Sequence, residues 1–252
     1  MRWLALCFVL SAAGVFAQAP VGTILPAQFN NSLDSAKSRS GQVVTARVMQ
    51  DVPISPTKKI HAGAKLIGHL ENVRRGDQGQ RAEMSLRFDR LKLGREVVAI
   101  TTSLRAMASM TEVEGVLVPP TGPDRGTPWA WTTRNLIGGE VAYGADGPVA
   151  RGDEIVGQAL TSGVLIPLRA NTASGCRGTV EGNSQPQPTW VFSSDACGLY
   201  GFENMQIAHA GRTTPLGEIT LTSTQGKVQI KAGSGILLRV IGPPVPSEVH
   251  LP

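Results

Sequence analysis

The stretch "AEMSLRFDRLKL" at residues 82–93 changes chemical character at almost every position. Met84, Leu86 and Phe88 fall on one face and Glu83, Ser85, Arg87 and Asp89 on the other, the period of two that marks a half-buried β-strand. The same alternation runs through "QVVTARVMQDV" (42–52), "AKLIGHLENV" (64–73) and "EVVAITTSL" (96–104). No helix turns this pattern into an apolar stripe, so the chain is committed to sheet. "LGRE" (93–96) supplies a hairpin turn at Gly94, and "NVRRGDQGQR" (72–81) a longer loop. With 29 Gly and 17 Pro the chain is broken often.

Residues 111–135 are rich in Pro and Gly and lack periodicity, which marks a connection. Strand patterns resume at 136 and continue through "PTWVFSS" (188–194), "GEITLTST" (217–224) and "KVQIKAGSGILLRVIG" (227–242). Helix is expected only in "AQFNNSLDSAKS" (27–38) and "TPWAWTTRNLI" (127–137). The expected fold is mostly β: an antiparallel barrel or sandwich over 21–108, a Pro/Gly-rich connection at 109–135, and a second β-rich half at 136–242, followed by a tail at 243–252. If the closing strands complete the first barrel, the chain is one domain with a large insertion. Its 252 residues suit either arrangement.

The N-terminus "MRWLALCFVLSAAGVFAQAP" carries one Arg, an apolar run and then small residues. This reads as a secretory signal peptide over 1–17, cleaved after Ala17. Cys7 lies inside the apolar run, too early to be a lipidated first residue. No later stretch is long and apolar enough to span a membrane as a helix. The net charge of +5 falls to +4 once Arg2 leaves with the signal. The basic residues are dispersed, without the stripe interleaved with aromatics that nucleic-acid binding needs. Export together with the remaining even pair, Cys176 and Cys197, points to a disulfide.

One pattern recurs. "IHAGAKLIG" (60–68), "VARGDEIVG" (149–157) and "IKAGSGILL" (230–238) share an apolar residue, two variable residues, Gly, two variable residues and an apolar pair. Gly63, Gly152 and Gly233 are therefore expected at tight strand connections that require positive φ. His61 stands where the other copies carry Ala150 and Lys231, a variable turn position unsuited to a metal ligand. His61 and His69, eight residues apart, lack the spacing of common two-histidine sites. No cofactor or metal is expected.

Catalytic patterns are weak. "TASGCRG" (172–178) is similar to the Ser-x-Gly-Cys-x-Arg motif of L,D-transpeptidases, but Ala173 replaces the Ser and Arg177 follows Cys176 directly. Ser194, Asp195 and His209 lie close in sequence, yet no G-x-S-x-G elbow accompanies them. The tripeptide Arg-Gly-Asp occurs at 75–77 and 151–153, both at expected turns. Trp129 and Trp131, in the Pro/Gly-rich connection, are candidates for an exposed binding surface.

Three stretches together resemble the C-terminal β-barrel domain of TrbI-like proteins, core-complex components of type IV secretion and conjugation systems. "GTILPAQFNNSLDS" (22–35) resembles the opening strand. "ARVMQDVPISPTKKIHAGAKLIGHLENV" (46–73) resembles a strand, a loop and the Ile-Pro-x-Gly-x-x-Leu-Ile-Gly turn, with His61 in place of the Pro. "RFDRLKL" (87–93) resembles the strand after it, and "VQIKAGSGILLRV" (228–240) the last strand pair. The resemblance implies a β-barrel of the cell envelope that assembles into a ring at the outer membrane. In the family an inner-membrane helix and a Pro-rich linker precede the barrel; here an export signal precedes it. Residues 111–214 lie outside the likeness.

Taken together, the expectation is an exported, non-enzymatic envelope protein with a structural, assembly or binding role. It would sit in the periplasm, at the outer membrane or outside the cell, with envelope proteins or polymers as partners and no nucleic acid; self-association stays open. The alternatives are a polymer- or carbohydrate-binding module, and an envelope hydrolase or transpeptidase using Cys176 or Ser194, Asp195 and His209.

Overall fold

The structure, a computed structural model, describes residues 19–76, 80–117, 133–144, 147–160, 162–170, 183–224 and 226–242. Strand accounts for 56% of them and helix for 4%, so the fold is mostly β and predominantly antiparallel. The strands before the first break in the sheets are β1 (Ile24–Phe29), β2 (Leu33–Asp34), β3 (Val43–Val48), β4 (Val52–Pro53), β5 (Lys59–Ile60), β6 (Lys65–Arg74), β7 (Ala82–Leu93), β8 (Glu96–Ala99) and β9 (Thr101–Ala108), followed by helix α1 (Met110–Leu117). Then come β10 (Thr133–Asn135), β11 (Val141–Tyr143), β12 (Pro148–Arg151), β13 (Glu154–Leu160), β14 (Gly163–Leu168) and β15 (Asn183–Pro188). The chain closes with β16 (Gly198–Tyr200), β17 (Met205–Ala210), β18 (Ile219–Ser223), β19 (Gln229–Ile230) and β20 (Gly235–Gly242).

The large sheet runs β16-β9-β20-β1-β3-β6-β7-β18-β17, with β8 also paired to β7. Every ladder in it is antiparallel except β16 with β9. The closing strands β18 and β20 thus pair with β7, β1 and β9 of the N-terminal part. The sheet curls until β17, at one end of the order, lies against β9 and β16 at the other, with no ladder between the two end strands among the described residues. Its concave side holds one core that includes Phe29, Leu66, Leu70, Met84, Phe88 and Leu238. The Phe29 and Phe88 rings meet at a centroid distance of 5.9 Å in a tilted arrangement.

Inserted between β9 and β16 is a second sheet, β10 to β15 in chain order, each strand antiparallel to the next. Its core holds Ala142, Val149, Val156, Val164 and Ile166. A third apolar cluster, with Ile24, Ala106, Val113, Trp190, Phe192 and Leu237, covers the outer side of β1, β9 and β20. That double burial makes all eight residues of β9 buried, Arg105 included.

The recurring glycine turns gain a physical basis. Gly63 connects β5 to β6 and Gly233 connects β19 to β20, with φ of +89° and +91°. Both sit in one hydrogen-bond pattern. Gly63 N donates to Val48 O and Val48 N to Ala64 O, at 2.7 and 2.8 Å; Gly233 N donates to Phe29 O and Phe29 N to Ser234 O, both at 2.9 Å. A side chain three residues past each strand partner caps the turn: Asp51 accepts from Ala62 N and Ser32 from Ala232 N, both at 2.9 Å. The unit β3-β4-β5-β6 is therefore repeated by β1-β2-β19-β20, whose halves lie at opposite ends of the chain. Gly152, with φ of +57°, belongs instead to a plain hairpin in which Arg151 pairs with Glu154.

Three local expectations are corrected. Residues 27–38 form the end of β1, a turn and β2 rather than a helix, because Asn31 Oδ1 accepts from Thr45 N and Asp34 Oδ1 from Ala36 N, side-chain bonds that favour turns. Residues 133–135 of the second expected helix are strand β10; the rest of it up to 132 lies outside the described residues. "PTWVFSS" is not a strand: β15 ends at Pro188 and the chain turns at Trp190, whose φ is +55°. Among the described residues the one helix is α1, capped by Ser109, whose Oγ accepts from Glu112 N at 3.3 Å. The Ser-x-x-Glu spacing of Ser109 and Glu112 is a capping-box signature, readable in advance.

Candidate functional site

A cleft of about 820 Å³ opens where the β4–β5 hairpin, the Gly63 turn and the β7–β8 turn meet. Lys58, Lys59, Lys65 and Lys92 line it, with His61, Ile54 and Leu93 among their neighbours. The backbone enforces this gathering. Lys65 on β6 is the register partner of Lys92 on β7 and of Arg47 on β3, so three cations stand in one row across three strands. Like charges placed directly opposite on a sheet repel. Lys59 is answered by Asp51 at 2.6 Å. Among the described residues the ammonium groups of Lys58, Lys65 and Lys92 have no ion-pair partner. The Lys59 hydrogen bond, helped by the Ala62 amide, holds the Asp51 carboxyl below the usual carboxylate range. His61 lies on the rim, 3.7 Å from Asp51 and with its side chain 74% exposed.

His69 belongs to a different neighbourhood. It stands between Glu71 and Asp89, 3.3 Å from each, while Arg87 Nε donates to Glu71 at 2.7 Å. The two histidines share no partner. Among the described residues no group of three or more His, Cys, Asp or Glu side chains could hold a metal ion.

A second polar cluster joins the two sheets. Glu140, fully buried, accepts from Ser194 N at 2.9 Å and from Ser194 Oγ. Arg151 donates to both oxygens of Asp195 and lies 3.4 Å from Glu140. Ser193 Oγ adds a bond to Asp195 at 3.0 Å. Burial opposes ionisation of Asp195, but the hydrogen bonds from Arg151 and Ser193 outweigh it and hold the carboxyl below its ordinary value. From the large sheet, Arg105 Nη2 donates to the carbonyls of Arg169 and Ser194, at 3.0 and 2.8 Å. Burial lowers the Arg105 guanidinium to about 10, so it stays charged at neutral pH. Gln50 completes the junction: its Oε1 accepts from Trp190 N and Val164 N, and its Nε2 donates to Val164 O.

The residues singled out in the sequence are distributed as follows. Ser194 is bonded to Glu140 and Asp195 to Arg151, whereas His209 on β17 faces Glu218 O at 2.6 Å and Thr213 Oγ1 at 3.1 Å. The three hold separate partner sets. Cys197 is disulfide-bonded and buried; Cys176 lies outside the described residues, as do Trp129 and Trp131. Arg151 of the second Arg-Gly-Asp is turned onto Asp195, and Asp77 of the first lies outside the described residues. Sequence reading missed the cationic row, Gln50 and Glu140. The row was visible only as isolated basic residues, since nothing but the register brings Arg47, Lys65 and Lys92 together.

No helix among the described residues is long and apolar enough to cross a membrane. Comparison with protein-family models, with curated proteins and with solved structures returned no match.

Proposed function

We propose that the chain is an exported, non-enzymatic element of the cell envelope, in the periplasm or at the outer membrane, that acts in assembly or binding through its β surfaces. The observation that carries this reading is the cleft on the large sheet where Lys58, Lys65 and Lys92 have no ion-pair partner among the described residues. Cations forced into register without partners keep a standing preference for an anionic surface. The residues of the catalytic alternative support the same reading from the other side. Ser194 bonds buried Glu140, Asp195 pairs with Arg151 and His209 bonds Glu218 O, each occupied in holding the fold. The strands that carry the TrbI-like resemblance, β1, β3, β6, β7 and β20, are neighbours in the large sheet, and the proposed role is an assembly element of that general kind.

Crosslinking in the native envelope, followed by identification of the adducts, tests this. Adducts with other envelope proteins, or rings of the chain itself, are expected. Glycan adducts would shift the reading to a polymer-binding module. A soluble monomer with turnover on peptidoglycan fragments, abolished by Cys176→Ala or His209→Ala, would overturn it.

A further inference from the structure

Among the described residues the strand β8 pairs only with β7. Its outer edge has no strand partner and no backbone hydrogen bond among the described residues. Glu96, Val97 and Ala99 are exposed, Val97 at 55%, and Val98 is half-buried. Folded proteins cover or blunt such edges, because an unpaired apolar strand invites another to add. Here only Glu96, at the start of the strand, and the neighbouring Arg95 supply charge.

What lies beside the edge indicates its occupant. Val97 is the register partner of Lys92, which continues to Lys65 and Arg47, and Ala99 is the partner of Arg90. The cationic row thus runs along the exposed face up to the free edge. We propose that β8 is an acceptor edge for β-strand addition, and that its occupant is an extended segment of another envelope protein with carboxylates at alternate positions. Strands in a sheet are spaced by about 4.8 Å, so an added strand would lie about 10 Å from β7, within the joint reach of a lysine and a glutamate side chain. Main-chain bonds to β8 hold the segment, and the alternating carboxylates select it through Lys92 and Arg90 on β7. A second copy pairing through its own β8 would bring two sets of Lys92 and Arg90 towards each other, an unfavourable meeting of like charges.

This inference rests on the assembly reading, and its test separates the two. A labelled ten-residue peptide of alternating Val and Glu is titrated into the full chain by fluorescence anisotropy. Binding is expected, at least tenfold weaker for the double variant Arg90→Glu, Lys92→Glu, and at least tenfold weaker for the same peptide methylated at alternate amides. The methylated peptide needs no variant to fold, so the result stands even if the double variant does not. Equal binding of the methylated peptide or of polyglutamate would overturn strand addition, and equal binding of a Val-Lys peptide would overturn the role of charge. In the native envelope, a photocrosslinking residue in place of Val97 is expected to capture a partner protein, whereas one in place of exposed Ile155 is not. Capture through other surfaces but not through Val97, or capture of a second copy there, overturns this inference and leaves the assembly reading standing. Capture of nothing at any position overturns both.

Discussion

Gln50 is fully buried between the two sheets, and its carboxamide bonds three main-chain groups of residues 164 and 190. Gln50→Ala would leave those groups buried without partners, at a cost of about 2–4 kcal/mol. Urea denaturation should register that loss, and a midpoint within error of the parent would show that water takes over the role. Asp195 carries a pH signature. Its carboxyl is lowered in the folded state, so the stability it contributes is full above the ordinary carboxylate range near about pH 4 and is lost as pH falls through the lowered value. The melting temperatures of the parent and of Asp195→Asn should therefore converge between pH 5 and pH 2; a constant gap would contradict the pairing with Arg151. Neither residue announces itself in sequence. Gln50 lies inside the stretch that reads as a strand over 42–52 and nothing there marks it as a link between sheets, and Ser194-Asp195 reads as a catalytic remnant, because the partners Glu140 and Arg151 arrive from elsewhere in the chain.

Among the elements, the half-buried strands were legible, whereas the doubly buried one was legible only in part. β7 alternates because one face meets the core and the other water; β9, covered on both sides, reads as far as Leu104 as the end of a strand over 96–104, and its second half, "RAMA", carries no period to find. The glycine turns were legible as glycines, but not as two copies of one four-strand unit, since residues 29 and 233 meet only in the folded chain. An added Cβ at Gly63 would meet nothing within 4 Å, so Gly63→Val is penalised by backbone conformation alone, at about 1–3 kcal/mol. At Gly68 on β6 a Cβ would stand 1.8 Å from Arg87 O, and Gly68→Ala should cost about 3 kcal/mol through displacement of the neighbouring strand. Thermal melts of both variants check this; an unchanged melt for Gly68→Ala would contradict the β6–β7 register. The disulfide of Cys197 closes a loop of 20 intervening residues if Cys176 is its partner, worth about 3 kcal/mol in the chain-entropy account. Protein purified under oxidising conditions should titrate no free thiol after signal removal, and two free thiols would refute the pairing.

At the scale of the whole molecule, strand register gathers the cationic cleft and the edge of β8 on the large sheet, and the polar junction ties the inserted sheet to it. Composition concealed this, because dispersed basic residues along a chain become a row only through strand register. The central claim is that the cleft at the end of this row, lined by Lys58, Lys65 and Lys92, is the chain's functional surface. The most direct measurement is co-sedimentation of the mature chain with isolated cell envelopes of its source, for the parent and for the triple variant Lys58→Glu, Lys65→Glu, Lys92→Glu, across a salt series. The account predicts that the parent sediments with the envelope and is released as salt rises, and that the folded triple variant stays in solution at every salt concentration. Equal retention of the two proteins, or retention indifferent to salt, would contradict it.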